Sequence, residues 1–253
     1  MIRPFEERDA HTVLALTREL LPHRVETVET VLFDAGRSAV WVAEVAREVV
    51  GVARVRDRKL ALGVAPKARR RGIGAALWDR VADEVDSMWS ADGAGVAFAR
   101  DRGLVPVREV VVSSLDLGRV GDVPPESLPD VQLVRWDELR SVPDVLGQAE
   151  HVGFPALVPE GSWAALFAGR PVAYALLVAD ERGVGENQHT FTLPEHRGRG
   201  VATLCKRALV VSARELGLHT LVTGNDVTNA PILALNRRLG YVPQHVQVTL
   251  SRA

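Results

Sequence analysis

Apolar and β-branched residues alternate with polar residues in two stretches of similar length, one in each half of the chain. Residues 41–55 predict a hairpin that turns near Arg47, and residues 163–178 predict a second hairpin that turns around Gly169. In each half a further strand, a glycine-containing turn and a helix follow. This order of elements predicts two α/β units of the same kind.

Both predicted helices open directly from a glycine turn. Their apolar residues recur three or four positions apart, which is the spacing of one helix face. These residues are Ile73, Leu77, Val81 and Val85 in the first half, and Val201, Leu204, Cys205, Ala208 and Leu209 in the second.

The glycine turn belongs to an internal repeat. Arg-Arg-Arg-Gly-Ile-Gly at 69–74 returns as Arg-Gly-Arg-Gly-Val-Ala at 197–202, and each copy follows a proline, Pro66 or Pro194. Self-similarity of this kind indicates one structural unit used twice. The chain is therefore predicted to contain a duplicated domain.

Residues 119–130 form the expected linker, because their prolines and polar residues sustain neither a helix nor a central strand. The predicted domains are residues 1–118 and 131–253. Each has a size that suits a single hydrophobic core.

The composition narrows the classes of function. The 253 residues carry a net charge of -1 with arginines and acidic residues evenly spread, so no general attraction to nucleic acid or to an anionic membrane is expected. The only cysteine, Cys205, excludes an intramolecular disulfide, the amino terminus is charged, and no apolar run approaches the ~20 residues of a membrane span. We expect a cytoplasmic protein without nucleic-acid or membrane partners.

A glycine turn between a strand and a helix can bind phosphate. Successive backbone N–H groups point into one concavity beside the positive end of the helix dipole, and flanking arginines add charge and forked donors. A helix with a glycine at its entry and exposed arginines is the alternative, and two copies in register favour anion binding. A dinucleotide-binding turn is not favoured, because Leu77 stands where its third glycine belongs.

These segments resemble a known family. Residues 64–74 and 192–202 resemble the acyl-CoA pyrophosphate loop of the GNAT superfamily of N-acetyltransferases, and residues 225–241 resemble its asparagine-rich fifth strand and following helix. The resemblance covers nearly the whole chain as a tandem GNAT protein. It implies an α/β (α+β) fold with two domains, each a mixed, mostly antiparallel sheet flanked by helices.

The resemblance also implies acetyl-CoA as co-substrate, a small-molecule amine as acceptor, and no metal. The residues that it places at acyl-CoA in the second half are Phe191, Thr192, Leu193, Arg197, Gly198, Arg199, Gly200, Val201, Ala202, Asn225, Asn229 and Asn236. The corresponding residues of the first half are Val64, Arg69, Arg71, Gly72 and Gly74. Helix capping is the alternative role for Asn225 and Asn229.

Transfer to an amine requires a base, because the attacking nitrogen must be neutral. Glu186 lies where several GNAT enzymes have their base, and Arg58 lies at the same distance before the first turn. Glu186 and Asn225 are therefore the predicted catalytic residues, and a solvated Glu186 is the alternative. His189 is interpreted as a packing histidine. Strict alternation predicts one shared polar strand face for Glu186, Gln188, Thr190 and Thr192.

One departure from the family leaves two functions open. Many GNAT enzymes have a tyrosine acid where this chain has Ala99 and Asn236. The leading hypothesis is an N-acetyltransferase whose second half is catalytic and whose first half is structural or binds CoA. The alternative is a non-catalytic acyl-CoA-binding or regulatory protein. A monomer, in which the repeat forms a pseudo-dimer, and a homodimer both fit the sequence.

Overall fold

The computed structural model describes residues 1–121, 127–139 and 154–252. The chain forms two compact units. Unit 1 comprises Met1–Val111 together with His245–Ala253, and unit 2 comprises Val112–Gln244. Each unit has a mixed sheet with helices packed on it.

Unit 1 has the strand order β1-β2-β3-β4-β5-β12. Its strands are β1 (Ile2–Pro4), β2 (Ala39–Val45), β3 (Glu48–Arg56), β4 (Lys59–Val64), β5 (Ser87–Ser90) and most of β12 (Val242–Arg252), and its helices are α1 (Ala10–Leu20), α2 (Val28–Ala35), α3 (Ile73–Val81) and α4 (Gly93–Arg100). Only the pair β4 and β5 is parallel; β1 to β4 and the pair β5 and β12 are antiparallel.

Unit 2 has the strand order β6-β11-β10-β9-β8-β7. Its strands are the last part of β6 (Leu104–Asp116), β7 (Val131–Arg135), β8 (Trp163–Phe167), β9 (Arg170–Ala179), β10 (Val184–Thr192) and β11 (Thr220–Asp226), and its helices among the described residues are α5 (Val201–Glu215) and α6 (Ala230–Arg238). β10 and β11 are parallel, whereas β7 to β10 are antiparallel.

The predicted hairpins and both helices after the glycine turns are confirmed. β2 and β3 form the first hairpin and β8 and β9 the second. The second helix is α5, and the first, α3, ends at Val81, so Val85 of the predicted stripe lies beyond it. A short 3-10 turn, Ala82–Glu84, separates Val85 from the helix.

β9 is the centre of unit 2, and both of its faces are buried. Ala173, Ala175 and Leu177 on one face pack against α5 in the main core. Tyr174 and Leu176 on the other face belong to a second apolar cluster. Because both faces are covered, the strand is almost continuously apolar, as expected for a buried strand.

The two units differ from the predicted domains at their ends. The segment 112–118, at the end of the first predicted domain, lies in unit 2, and 245–253, at the end of the second, lies in unit 1. The physical reason is pairing: β12 is antiparallel to β5, and Leu250 is fully buried in the core of unit 1. The repeat indicates the order of the elements, but not which sheet the last strand joins.

This pairing predicts a unit-specific loss of stability. Leu250→Ala should lower the free energy of unfolding by about 2–5 kcal/mol, because it removes a fully buried side chain from the core of unit 1. Amide hydrogen exchange should accelerate in residues 1–111. Val246→Ala on the same strand is the control, because Val246 is 42% exposed and its truncation should cost little. Acceleration confined to residues 112–244 would contradict the assignment of this strand.

Candidate active site

The glycine turn of the second half is an exposed loop at the start of α5. β10 ends at Thr192, a 3-10 turn covers Pro194–His196, and α5 begins at Val201. Gly198 and Gly200 have φ angles of 74° and 83°, in the left-handed region that favours glycine. Residues 197–200 are exposed, and the first N–H groups of a helix have no intrahelical acceptor. The turn can therefore receive an anion from solvent.

The first half has the same turn with one difference. Gly72 has a φ angle of 80° at the start of α3, but Arg70, with a φ angle of 61°, replaces the first glycine. The arginine that precedes each turn is fixed in the same way, because the Nε atoms of Arg69 and Arg197 each donate to the last carbonyl of the preceding strand at 3.1 Å. Gly74 lies in the first turn of α3 and faces Phe98. Both turns thus place a left-handed glycine directly before the helix.

β10 and β11 separate beside the second turn. Their parallel pairing covers three residue pairs and ends at Glu186 with Val222, although both strands continue. Beyond this point the hydroxyl of Thr223 donates to the carbonyl of Asn187 at 3.2 Å. A side chain therefore replaces the ladder hydrogen bond where the strands separate.

The predicted asparagines divide into two groups. Asn236 Nδ2 donates to Asn225 Oδ1 at 2.6 Å, and Thr223 approaches the same oxygen at 3.5 Å. Asn229 lies at the start of α6, where its Oδ1 accepts from the backbone N–H of Ile232 at 3.4 Å. Asn225 and Asn236 therefore lie together beside the strand separation, whereas Asn229 is a helix cap.

Several buried polar atoms of unit 2 have no partner within the described residues. They are Thr192 Oγ1, Asn236 Oδ1 and the hydroxyl of Tyr241. Burial raises the pKa of Tyr241 well above its usual value, so this hydroxyl remains a neutral donor. Because an unpaired buried polar atom is costly, these atoms are candidates to contact a ligand or an ordered water.

β10 contains a β-bulge at Gln188. Asn187 pairs with Leu177 of β9, and the next pair is His189 with Leu176, so Gln188 has no opposite residue. An extra residue in one strand changes the face to which the side chains beyond it point. Side chains before and after Gln188 therefore alternate between the two faces of the sheet in opposite phase.

The expected common face of Glu186, Gln188, Thr190 and Thr192 is wrong because of this bulge. The pairing with β9 places Glu186, His189 and Phe191 on the face of Tyr174, and Asn187, Thr190 and Thr192 on the face that packs against α5. Strict alternation assumes an uninterrupted strand, and the sequence carries no marker of the inserted residue.

Glu186, the predicted base, is partly exposed on β10. Its counterpart in β4 is found by aligning the two strands through their pairing partners. Because the bulge adds one residue to β10, this counterpart is Lys59 and not Arg58. The contrast between the halves remains, because a cation replaces the carboxylate in either comparison. The predicted catalytic pair, Glu186 and Asn225, lies on the two strands that separate.

His189 has the packing contacts that were expected, and one that was not. Its ring stacks on Tyr174 with a centroid distance of 5.7 Å, and Phe191 stacks on the same tyrosine at 5.7 Å. In addition, His189 Nδ1 and the Tyr174 hydroxyl lie 3.0 Å apart in a hydrogen bond. The histidine is therefore held in one orientation on the face of Glu186.

Lys206 of α5 was not predicted as a site residue, and its amine is the most buried cation of unit 2 among the described residues. The residue is 1% exposed, and its Nζ donates to Asn187 Oδ1 at 2.5 Å. Nζ also lies 5.4 Å from the centre of the Tyr241 ring. Burial lowers the pKa of Lys206 to about 7, because removal from water disfavours the charged amine.

A signal for Lys206 was present in the repeat. Lysine follows Cys205 within the apolar stripe of α5, at the place where the first-half helix has Trp78. A cation replaces a buried aromatic residue at the same point of a duplicated helix, and buried lysines are rare without a partner.

Two further properties concern metals and membranes. Within residues 1–121, 127–139 and 154–252, there is no cluster of three or more His, Cys, Asp or Glu side chains arranged to hold a metal ion. No helix of this part of the chain combines the length and apolar character that a membrane crossing requires.

Comparison with protein families identifies the fold. The model of the acetyltransferase (GNAT) family matches residues 131–241, and the model of the acetyltransferase (GNAT) domain matches residues 15–91. Together these matches cover most of the chain. The chain therefore belongs to the GNAT acetyltransferases as a tandem protein with two GNAT domains, and it is an acyltransferase by family.

Two similar proteins are mycothiol acetyltransferases. The one from Propionibacterium freudenreichii is 28% identical over 232 residues, 79% of this chain and 73% of that protein. The one from Catenulispora acidiphila is 26% identical over 217 residues, 73% of this chain and 69% of that protein. A solved tandem GNAT protein from the clavulanic acid biosynthesis pathway has the same fold, with a TM-score of 0.76, 22% identity, and coverage of 99% of this chain and 97% of that chain.

The buried amine predicts a pH-dependent stability difference. Between about pH 7 and the ordinary lysine value of 10.5, the unfolded chain binds more protons at Lys206 than the folded chain, so stability rises with pH. Lys206→Met removes this dependence. We therefore compare the free energy of unfolding of Lys206→Met with that of the wild type by urea unfolding. The variant should exceed the wild type most at or below pH 7, and this difference should shrink toward pH 9.5. Lys67→Met, at an exposed lysine, is the control, with a constant difference from pH 6 to 9. A constant difference for Lys206→Met would contradict the assignment.

Proposed function

We propose that this chain is an N-acetyltransferase that transfers an acetyl group from acetyl-CoA to the primary amine of a small molecule, with the reaction in the second half. The observation that carries the proposal is the exposed turn at 197–200, which lies directly after the strand that separates from β11. The names of the two similar acetyltransferases support an acetyl group and a small-molecule acceptor. The expectation of a cytoplasmic protein accompanies this proposal.

The residues of the second half fit acetyl-CoA. The N–H groups and arginines of 197–202 provide for its diphosphate, and the start of α5 adds the positive end of a helix dipole. The unpaired atoms of Thr192 and Asn236 provide hydrogen-bonding partners for the amide-containing arm. When bound, acetyl-CoA supplies a thioester carbonyl as the electrophile.

Glu186 is the proposed base. It accepts a proton from the ammonium group of the acceptor, directly or through water, so that the nitrogen becomes a nucleophile. The nitrogen then forms a bond to the acetyl carbonyl carbon, the carbon–sulfur bond breaks, and the second proton of the nitrogen leaves as the thiolate takes up one. A thiol has a pKa near 8.5, so its anion can leave near neutral pH even where Asn236 replaces a tyrosine acid.

Matched glycine variants test which half binds the co-substrate. Gly200→Ala should weaken CoA binding by about tenfold or more, because a side chain at a φ angle of 83° shifts the N–H groups of the turn. Isothermal titration calorimetry with CoA measures the effect. Gly72→Ala, the same position in the first half, should leave this affinity unchanged. Weakening by Gly72→Ala alone would place the co-substrate in the first half. No binding of CoA by the wild type would contradict the proposed function.

A second variant tests the base. Glu186→Gln should reduce kcat by roughly a hundredfold or more, with CoA affinity unchanged, because the amide cannot accept the proton. Thiol release with a panel of small amines provides the rate. Lys59→Gln, at the corresponding position of β4, is the control and should retain full activity. If the wild type binds CoA tightly but turns over no amine, and Glu186→Gln changes nothing, the protein is the binding or regulatory module instead.

A further inference from the structure

The corresponding strands β4 and β10 differ in their regularity. β10 has the bulge at Gln188, whereas β4 pairs with β3 over six consecutive residues without any shift. The hairpins provide the common register, because Trp41 opposes Ala53 in the first half and Trp163 opposes Ala175 in the second. The bulge is therefore present in the second copy of the fold and absent from the first.

The side chains around the bulge differ in the same way. With the strands aligned through their pairing, each polar residue of the second half corresponds to an apolar residue of the first. The pairs are Asn187 with Leu60, Thr190 with Leu62, Lys206 with Trp78, and Tyr241 with Leu104. Leu60, Trp78 and Leu104 lie in the core of unit 1. The fold thus forms with an entirely apolar filling at these positions.

The polar residues hold the bulge from the side of α5. Asn187 Nδ2 donates to the carbonyl of His189 at 3.1 Å and to that of Leu176 on β9 at 3.2 Å, so one amide spans the inserted residue. Its Oδ1 accepts from Lys206 Nζ at 2.5 Å and from the Thr190 hydroxyl at 3.0 Å. These two donors fix which end of the Asn187 amide points toward the carbonyl groups.

The bulge determines the face on which Glu186 lies. Counted from Thr192 with strict alternation, Glu186 would point toward α5 and the buried core. With the inserted residue it points to the opposite face, together with His189 and Phe191. A shift of one residue is sufficient for this reversal, because side chains alternate with a period of two.

We propose that Lys206 and Asn187 are positioning residues that lock the Gln188 bulge and thereby keep Glu186 on the face where it acts. The assignment of a role to Glu186 rests on the proposed function; the locking of the bulge does not. Neither residue contacts the acceptor in this proposal. They act through the backbone of β10.

The energetic cost supports a role beyond folding. A buried amine loses its hydration, and even buried ion pairs can often be replaced by apolar residues of similar volume at no cost in stability. Unit 1 shows such a replacement, with Trp78 packed in its core. The second half therefore retains Lys206 where an apolar residue would serve the fold.

Lys206→Met and Lys206→Gln form a matched pair, because the two side chains have similar size and only glutamine can donate to Asn187. The methionine variant should remain folded while the amides of Gln188 and His189 exchange about tenfold faster, since a broken clamp opens locally. With acetyl-CoA and a small amine, its kcat should fall by about tenfold or more with KM for acetyl-CoA changed little, as expected when the base is misplaced but the turn is intact. Glutamine should restore most of both properties.

The double variant Asn187→Leu, Lys206→Met is a second test in case the single variant is unstable. It resembles the first half more closely, because the methionine then packs beside an apolar side chain and not beside an amide. It should also fold, with faster exchange at the bulge. Unchanged exchange and kcat in the methionine variants would overturn the proposal, and so would equal losses in Lys206→Met and Lys206→Gln. If the wild type acetylates no amine, the proposed function fails, but hydrogen exchange still decides whether Lys206 and Asn187 lock the bulge.

Discussion

Backbone polar groups that leave a sheet inside a protein need new hydrogen-bonding partners, and this requirement shapes unit 2. The parallel pairing of β10 and β11 stops at Glu186, and the next carbonyl, that of Asn187, accepts from the Thr223 hydroxyl. A buried backbone group without a partner would cost about as much as a lost hydrogen bond. In unit 2 a polar side chain therefore satisfies a backbone group that the separation of the strands leaves unpaired.

The first half also separates its parallel strands, because β4 pairs with β5 only at Lys59 with Ser87 and Leu60 with Met88, although both strands continue. In β4 the corresponding positions are leucines, the ladder to β3 is regular, and Trp78 fills the core. Both halves have a left-handed glycine before the helix, although Arg70 replaces the first glycine of the turn in the first half. Divergence of a few buried residues therefore accounts for an apolar filling in one half and a polar one in the other.

The sequence predicts the parts of this protein that depend on local chemistry. Glycines, prolines and regular apolar spacing indicate the turns, hairpins and helix starts, since each signal acts over a few neighbouring residues. The position of Glu186 on β10 is predicted correctly, but its face is not. The bulge at Gln188 depends on contacts with α5, and Lys206 becomes meaningful only when its buried position beside Asn187 is known.

The last strand of the chain closes the sheet of unit 1 although it follows the repeat of the second half, and residues 112–118 make the reverse crossing. Neither copy of the repeat is therefore complete as a separate polypeptide, because each would lack a strand that its sheet requires. Deletion of either copy would therefore leave the sheet of the other unit one strand short.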